Sequence, residues 1–274
     1  MGEKNMAGGL RLERVTQKIV KVEAQGPGAA TLFFESAIDV RPGQFLMVTD
    51  YEGGERPISV SWADGELLAI TVKNMGPFSG RLCAKKPGDF LSLRGPFGTP
   101  FTPVPGHALL VGGGCGIAPL HLLARELVSR GGAVTVVNGA RVSADLILGG
   151  WFRGLGLDYR ETSEDAGERL TSVALAERIL SKEKIACVYA AGPELMMDAL
   201  RKILKNLPYQ FSFERYMKCG VGICGSCACD PTGIRICVEG PVLCREQVEK
   251  LTDFGVYKRD ATGARIHFRR QPAT

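Results

Sequence analysis

The chain has 274 residues, 45% of them apolar, and a formal charge of +5. That length exceeds one ordinary domain, so two or three compact units, each with its own core, are expected. With no apolar run long enough to span a bilayer, no apolar leader in "MGEKNMAGGLRLERV" and no dense basic arm, the sequence predicts no membrane partner, no secretory route and no nucleic-acid partner.

The first part, residues 1–104, reads as a β-barrel. "RLERVTQKIVKVEAQG" and "ATLFFES" carry the β-branched and aromatic residues of strands. "RPISVSWADGELLAITVKN" reads as two strands about an Asp64-Gly65 turn, and "GDFLSLRGPFG" as another strand. Short antiparallel strands at this spacing suit a small closed barrel, with room for one helix in "GPFSGRLCAKK". Prolines 100, 103 and 105 mark a joint. Residues 105–211 then alternate apolar strands with amphipathic helices, the pattern of an α/β domain on a parallel sheet. Residues 212–274 show little periodicity, and their order is expected to come largely from whatever the cysteines hold.

Six of the nine cysteines lie between Cys219 and Cys244. An odd total, with Cys83, Cys115 and Cys187 scattered, does not read as a disulfide framework and suits a reducing cytoplasm. Cys219, Cys224 and Cys227, spaced x4 then x2 and followed by a further cysteine, match the plant-type [2Fe–2S] ligand run. Glycines 220, 222 and 225 remove Cβ atoms, so backbone N–H groups can turn toward sulfur. Zinc, the rival, more often takes two separate close pairs. For the fourth ligand Cys229 is too near, Cys237 returns on the strand-like "RICVEGP", and Cys244 stands in reserve.

Two stretches suggest phosphate binding. "VGGGCGIAPL" follows an apolar strand and opens a helix, and Gly112, Gly113, Gly114 and Gly116 would let a dinucleotide pyrophosphate approach the backbone and the helix N-terminus. A ligand-free glycine turn is the alternative. In "ERPISV", Arg56 and Ser59 could grip a diphosphate, although an exposed arginine beside a strand-end proline is the plainer reading of those residues alone.

Taken in order, "RPIS", "GPFSGRL", "GGGCGIAP" and "AAGPELMM" resemble the ferredoxin–NADP reductase superfamily. "ERYMKCGVGICGSCACDPTGIRICVEGPVL" resembles the C-terminal iron–sulfur domain of electron-transfer subunits of NAD-dependent dihydroorotate dehydrogenase B. The tail "FGVYKRDATGARI" looks most like archaeal members. The resemblance implies three domains: an FAD-binding antiparallel β-barrel (1–104), an NAD-binding α/β domain (105–211) and a [2Fe–2S] domain (212–274). It implies FAD contacts from Arg56, Pro57, Ile58, Ser59, Lys73, Gly76 and Ser79, and NAD(H) contacts from Gly112, Gly113, Gly114, Gly116, Gly192 and Pro193. Cluster ligands would be Cys219, Cys224, Cys227 and, through "CVEGPV", Cys237. The chain departs from the family at Gly76-Pro77-Phe78-Ser79, where Gly-x-Gly-Thr is usual, and at Ala191, where many relatives have cysteine.

The chemistry follows from electron counting. A nicotinamide exchanges two electrons, an iron–sulfur cluster one, and a flavin both, so a flavin belongs between them. No side chain is assigned a catalytic role. Nothing in the sequence resembles an orotate site, so the resemblance implies an FMN-containing dihydroorotate dehydrogenase catalytic subunit as partner, in a heterotetramer of two of each chain serving pyrimidine biosynthesis. A hydrogenase, a glutamate-synthase-like enzyme or a bifurcating transhydrogenase would use the same equipment, and a redox sensor without turnover is a further reading. His107, His121 and His267 lack the partner spacing of catalytic or metal sites.

Overall fold

The computed structural model describes residues 13–268. The expected start of the first strand, at Arg11 and Leu12, and the last six residues of the third expected domain lie outside them.

Six antiparallel strands close a barrel: β1 (Val15–Ala24), β2 (Ala29–Glu35), β3 (Phe45–Asp50), β4 (Gly54–Ala63), β5 (Leu67–Lys73) and β6 (Phe90–Phe97), in the order β1-β2-β5-β4-β3-β6. β4 and β5 form the hairpin expected at Asp64-Gly65, with Asp64 Oδ1 accepting the N–H of Leu67 at 2.8 Å. Alternation directs Ile19, Leu32, Leu46, Val48, Val60 and Ile70 into one apolar cluster. Helix α1 (Pro77–Cys83) follows β5, with proline in the first turn where a missing N–H costs nothing.

The second sheet has six strands in the order β14 (Val242–Cys244)-β11-β10-β7-β8-β9. Strands β7 (Ala108–Gly113), β8 (Val134–Ala140), β9 (Asp158–Ser163), β10 (Cys187–Ala191) and β11 (Tyr209–Ser212) are parallel. Buried on both faces, β7, β8 and β10 are nearly all apolar. Helices α2 (Ile117–Ser129), α3 (Gly149–Arg153), α4 (Ser172–Leu180) and α5 (Glu194–Ile203) provide the crossovers. The barrel joins this unit through α2: His121 Nδ1 lies 3.1 Å from the Ser61 carbonyl, and Arg125 stacks 3.9 Å over Trp62. Burial holds the His121 imidazole down at about 4, so it is a neutral joint residue.

The C-terminal lobe contains the short pair β12 (Ala228–Cys229) and β13 (Ile234–Arg235), strand β14 (Val242–Cys244), helix α6 (Arg245–Val248) and the hairpin β15 (Tyr257–Arg259) with β16 (Arg265–His267). Its order does not come from the cysteines alone. β14 pairs antiparallel with β11, and Phe213, Met217, Ile236 and Phe254 share a core cluster with Val188, Leu200 and Phe211 of the α/β unit. The expected boundary at 211 falls inside β11, and residues 242–244 return to complete the sheet. Phe45, Met47 and Phe97 of the barrel join the same cluster, so the lobe rests on both neighbours.

Candidate functional site

A cavity of about 650 Å³ opens where barrel, α/β unit and lobe meet, a size typical of cofactor sites. Its wall includes Arg56, Pro57, Ile58 and Ser59 from β4, Lys73 ending β5, and Gly76 and Ser79 at the start of α1. All seven residues of the expected flavin set therefore line one cavity. Opposite them stand Cys115, Ala118 and Pro119 at the start of α2, and the segment Phe213–Met217 leading into the lobe.

The cavity is rich in cations. Arg56 is exposed, with its guanidinium 5.7 Å from the Phe78 ring centroid. Lys73 Nζ reaches Asp145 Oδ2 at 2.6 Å, tying the barrel to the 3₁₀ turn after β8. Arg81 and Arg215 also line the wall and were not legible as site residues. Arg81 is held by Asp50, 2.5 Å from its Nε. Lys73, Arg81 and Arg215 are each held by carboxylates, so the exposed Arg56 is the lining cation best placed to meet a diphosphate. Ser79 is already engaged: its hydroxyl accepts the Met75 N–H at 2.8 Å and donates to the Gly76 carbonyl at 3.2 Å, so it shapes the turn that borders the cavity. Glu214 lines the cavity and is exposed within it, and partial desolvation raises its carboxyl, with Lys258 opposing.

The expected nicotinamide residues sit at the carboxyl edge of the parallel sheet, where open α/β sheets bind ligands. Gly112 and Gly113 end β7, Gly114–Gly116 form a 3₁₀ turn into α2, and Gly192-Pro193 join β10 to α5. The two turns touch. A Cβ on Gly116 would lie 2.4 Å from the Ala191 carbonyl oxygen. One on Gly192 would lie 2.9 Å from the Gly113 nitrogen, while Gly114 has open space beyond it. The glycine run thus lets neighbouring βα turns pack together, with Gly114 left facing outward.

The cysteines separate into users and bystanders. Cys227 Sγ lies 3.4 Å from Cys237 Sγ, and the Gly222 N–H donates to Cys237 Sγ at 3.1 Å. Gly222 has φ +80°, a conformation L side chains rarely adopt, and this aims its amide at the sulfur. The Val221 N–H points at Cys219 Sγ, 3.5 Å away. Cys237 draws the Cys227 thiol down to about 7 against burial, while its own thiol is pushed up chiefly by Cys227. Two thiolates this close cannot both ionise without a cation between them. The Cys224 thiol, with burial opposing, is brought down to about 6 by hydrogen bonds with Ser226 and Cys219. The sulfurs therefore group as Cys219 with Cys224 and Cys227 with Cys237, the two-plus-two arrangement that suits a two-iron cluster. Among the described residues, no group of three His, Cys, Asp or Glu side chains is arranged to hold a metal ion. Cys229 is fully buried on β12 and burial pushes its thiol to about 12. Cys244 ends β14 and caps α6.

Behind the lobe lies a buried charge network. Arg215 Nη2 is 3.0 Å from Glu194 Oε1 and 3.4 Å from Asp253 Oδ2, with all three side chains at most 6% exposed. Arg215 Nη1 donates to the Tyr257 carbonyl, and the Gly255 N–H donates to Glu194 Oε1, each at 2.9 Å. Burial pushes the Glu194 carboxyl up to about 7, with Arg215 opposing. This network joins the start of α5, beside Gly192-Pro193, to the cavity wall and the C-terminal loop.

An iron–sulfur cluster binding domain of dihydroorotate dehydrogenase B matches residues 214–249. A probable dihydroorotate dehydrogenase B (NAD⁺) electron-transfer subunit of Methanothermobacter thermautotrophicus is 38% identical over 232 residues, 83% of this chain and 87% of that protein. The chain belongs to this family. Its counterpart in Methanocaldococcus jannaschii is 32% identical over 254 residues, 92% of this chain and 97% of the relative. The family places an electron-transfer subunit of oxidoreductase type here, with the iron–sulfur domain on the paired cysteines. Among solved structures, that of an NADH-dependent reduced ferredoxin–NADP oxidoreductase, described in connection with flavin-based electron bifurcation, superposes with a TM-score of 0.76 at 28% identity, covering 91% of this chain and 95% of that one. Phthalate dioxygenase reductase shares the fold, with a TM-score of 0.59 at 19% identity over 74% of this chain and 70% of the other. No described helix is long and apolar enough to cross a membrane.

Proposed function

We propose that this chain carries electrons between the FMN-containing catalytic subunit of a dihydroorotate dehydrogenase and NAD, using bound FAD and a [2Fe–2S] cluster, in cytoplasmic pyrimidine biosynthesis. One observation carries the reading: Phe213–Met217 line the cavity, and the chain runs on within two residues to Cys219. Flavin cavity and cluster loop are thus built from one continuous segment.

When bound, FAD exchanges electron pairs with nicotinamide and single electrons with an iron–sulfur cluster. The protein's residues bind and orient. Arg56 and Ser59 hold the diphosphate, Pro57 and Ile58 shape the flavin edge, and Lys73, Gly76 and Ser79 form the turn over the pyrophosphate. Gly114, half-buried but with open space beyond it, receives the NAD pyrophosphate beside Gly112, Gly113 and Gly116, with Gly192 and Pro193 beside the nicotinamide. Cys219, Cys224, Cys227 and Cys237 hold the cluster. Residues 1–104, 105–211 and 212–274 divide the work, with β14 lent back to the central sheet. Two copies of each subunit assemble, with the exposed Cys224 end of the loop toward the partner.

The test is anaerobic purification with metal, sulfide and flavin analysis, then co-purification with the catalytic chain. Two irons, two sulfides and one FAD per chain are expected, with NADH rapidly bleaching the flavin. Zinc or no metal at the cysteines would overturn the cluster assignment. The likeness to the bifurcating reductase favours a second reading, the same electron-transfer role toward another flavoenzyme. Failure to reduce NAD⁺ with dihydroorotate when the catalytic chain is present would favour it.

A further inference from the structure

We propose that Arg94 is a positioning residue that pins the first cluster ligand, Cys219, to the flavin-binding barrel, with Glu55 as the brace that fixes its guanidinium. The inference rests on the cluster assignment above and concerns how the cluster loop is held at its distance from the cavity.

Arg94 lies on β6. Its Nε and Nη2 donate to the two carboxylate oxygens of Glu55 at 2.8 and 2.5 Å, a fork on a fork. Nη2 also donates to the backbone carbonyl of Cys219, 125 residues further on, at 2.7 Å. Among the described residues this is the one hydrogen bond tying the loop 219–227 to the barrel. Both side chains are nearly buried, at 10% and 12% exposure, so water competes weakly. Glu55 is itself anchored: the Thr49 hydroxyl donates to it at 3.1 Å, and Arg14 lies 3.4 Å away.

The placement gives the clamp its meaning. Glu55 immediately precedes Arg56 in β4, so the strand that lines the cavity also braces the cluster loop. Beside it, the loop presses on the barrel at a second point: a Cβ on Gly220 would lie 2.8 Å from Met47 Cγ, and Met47 is the cross-strand partner of Arg94. Glu55 offsets the Arg94 charge beside Cys219, and measuring the cluster potential separates the remaining electrostatic effect from the geometric one. A lysine keeps the positive charge and loses the planar fork that contacts Glu55 and Cys219 together.

The experiment compares the wild-type holoprotein with Arg94→Lys and with the double variant Arg94→Met, Glu55→Met, which removes the pair without stranding a buried charge. Iron and sulfide are counted first. Rapid mixing with NADH then follows flavin bleaching and cluster reduction separately, and the cluster's midpoint potential is measured. Unchanged flavin bleaching, an unchanged potential and cluster reduction slowed at least about tenfold are expected, as for a small misplacement of reacting groups. Cluster reduction at the wild-type rate overturns the proposal. So do equal slowing of both steps, a rate change that merely tracks a shifted potential, and loss of iron from both variants, which would make Arg94 a general support of the lobe. Amide hydrogen exchange over residues 219–227, measured on cluster-free chains, keeps the two readings apart. Faster exchange in both variants is expected even if the wild type binds zinc or no metal, and unchanged exchange refutes the clamp.

Discussion

Replacing Arg215 by methionine would remove the cation from a buried set of carboxylates. Glu194 and Asp253 lie 3.0 and 3.4 Å from the guanidinium, with side chains 6% and 2% exposed. Breaking such a pair by deleting one partner costs about 3–5 kcal/mol. Against a total stability of roughly 5–15 kcal/mol that is a large share, equivalent to a fall in melting temperature of about 6–20 °C at about 2–4 °C per kcal/mol. The loss depends on pH. Burial raises the Glu194 carboxyl from its ordinary 4.5 to about 7, and burial also raises Asp253. A raised acid binds more protons in the folded than in the unfolded chain, so wild-type stability falls as pH rises from 4.5 through 7. Without Arg215 both carboxyls rise further, and the deficit grows with pH: smaller at pH 5, where Glu194 is largely protonated in both proteins, and full at pH 8. The assay is thermal unfolding by circular dichroism across that range, with FAD held at the same excess in both samples. A deficit below about 1 kcal/mol (about 2–4 °C), or one that does not vary with pH, would refute the reasoning.

Two further substitutions test the site. Cys237→Ser is expected to abolish or strip the cluster, while Cys244→Ser and Cys229→Ser leave iron and sulfide at wild-type levels; a cluster lost from Cys244→Ser and kept in Cys237→Ser would reverse the ligand choice. Gly116→Ala puts a methyl group 2.4 Å from the Ala191 carbonyl oxygen, an overpacking cost of about 1–3 kcal/mol. It should weaken NADH reduction of the flavin by displacing both βα turns, and wild-type stability together with a wild-type NADH rate would contradict the close packing seen here.

Much of this architecture was legible because local patterns carry it. The Asp64-Gly65 hairpin, the strand–glycine–helix run at Val111–Leu120 and the x4–x2 cysteine spacing each depend on residues close in sequence. The folding of the last third was not. β14 reads as a short apolar triplet after a proline, and only its pairing with β11 makes it a strand of the central sheet. The glycines of "VGGGCG" read as ligand-facing, yet Gly113 and Gly116 are required where two turns meet, a contact between residues some 75 apart in the chain. That contact is invisible to any local window. Arg94, Arg81 and Arg215 looked like ordinary charged residues because their partners lie on other elements.

The sequence by itself determined the kinds of units and their order, a barrel, an α/β layer and a cysteine-rich lobe, and the chemical character of each, because strand and helix periodicity, turn residues and soft-metal ligand spacing act over a few positions. Only the tertiary structure decided which groups share a space. It put Cys237 rather than Cys244 against Cys227, gathered the seven flavin candidates around one cavity, and drove Arg215 between Glu194 and Asp253. Those outcomes depend on close packing of distant segments, where a few tenths of an ångström and the exclusion of water decide what a side chain can do.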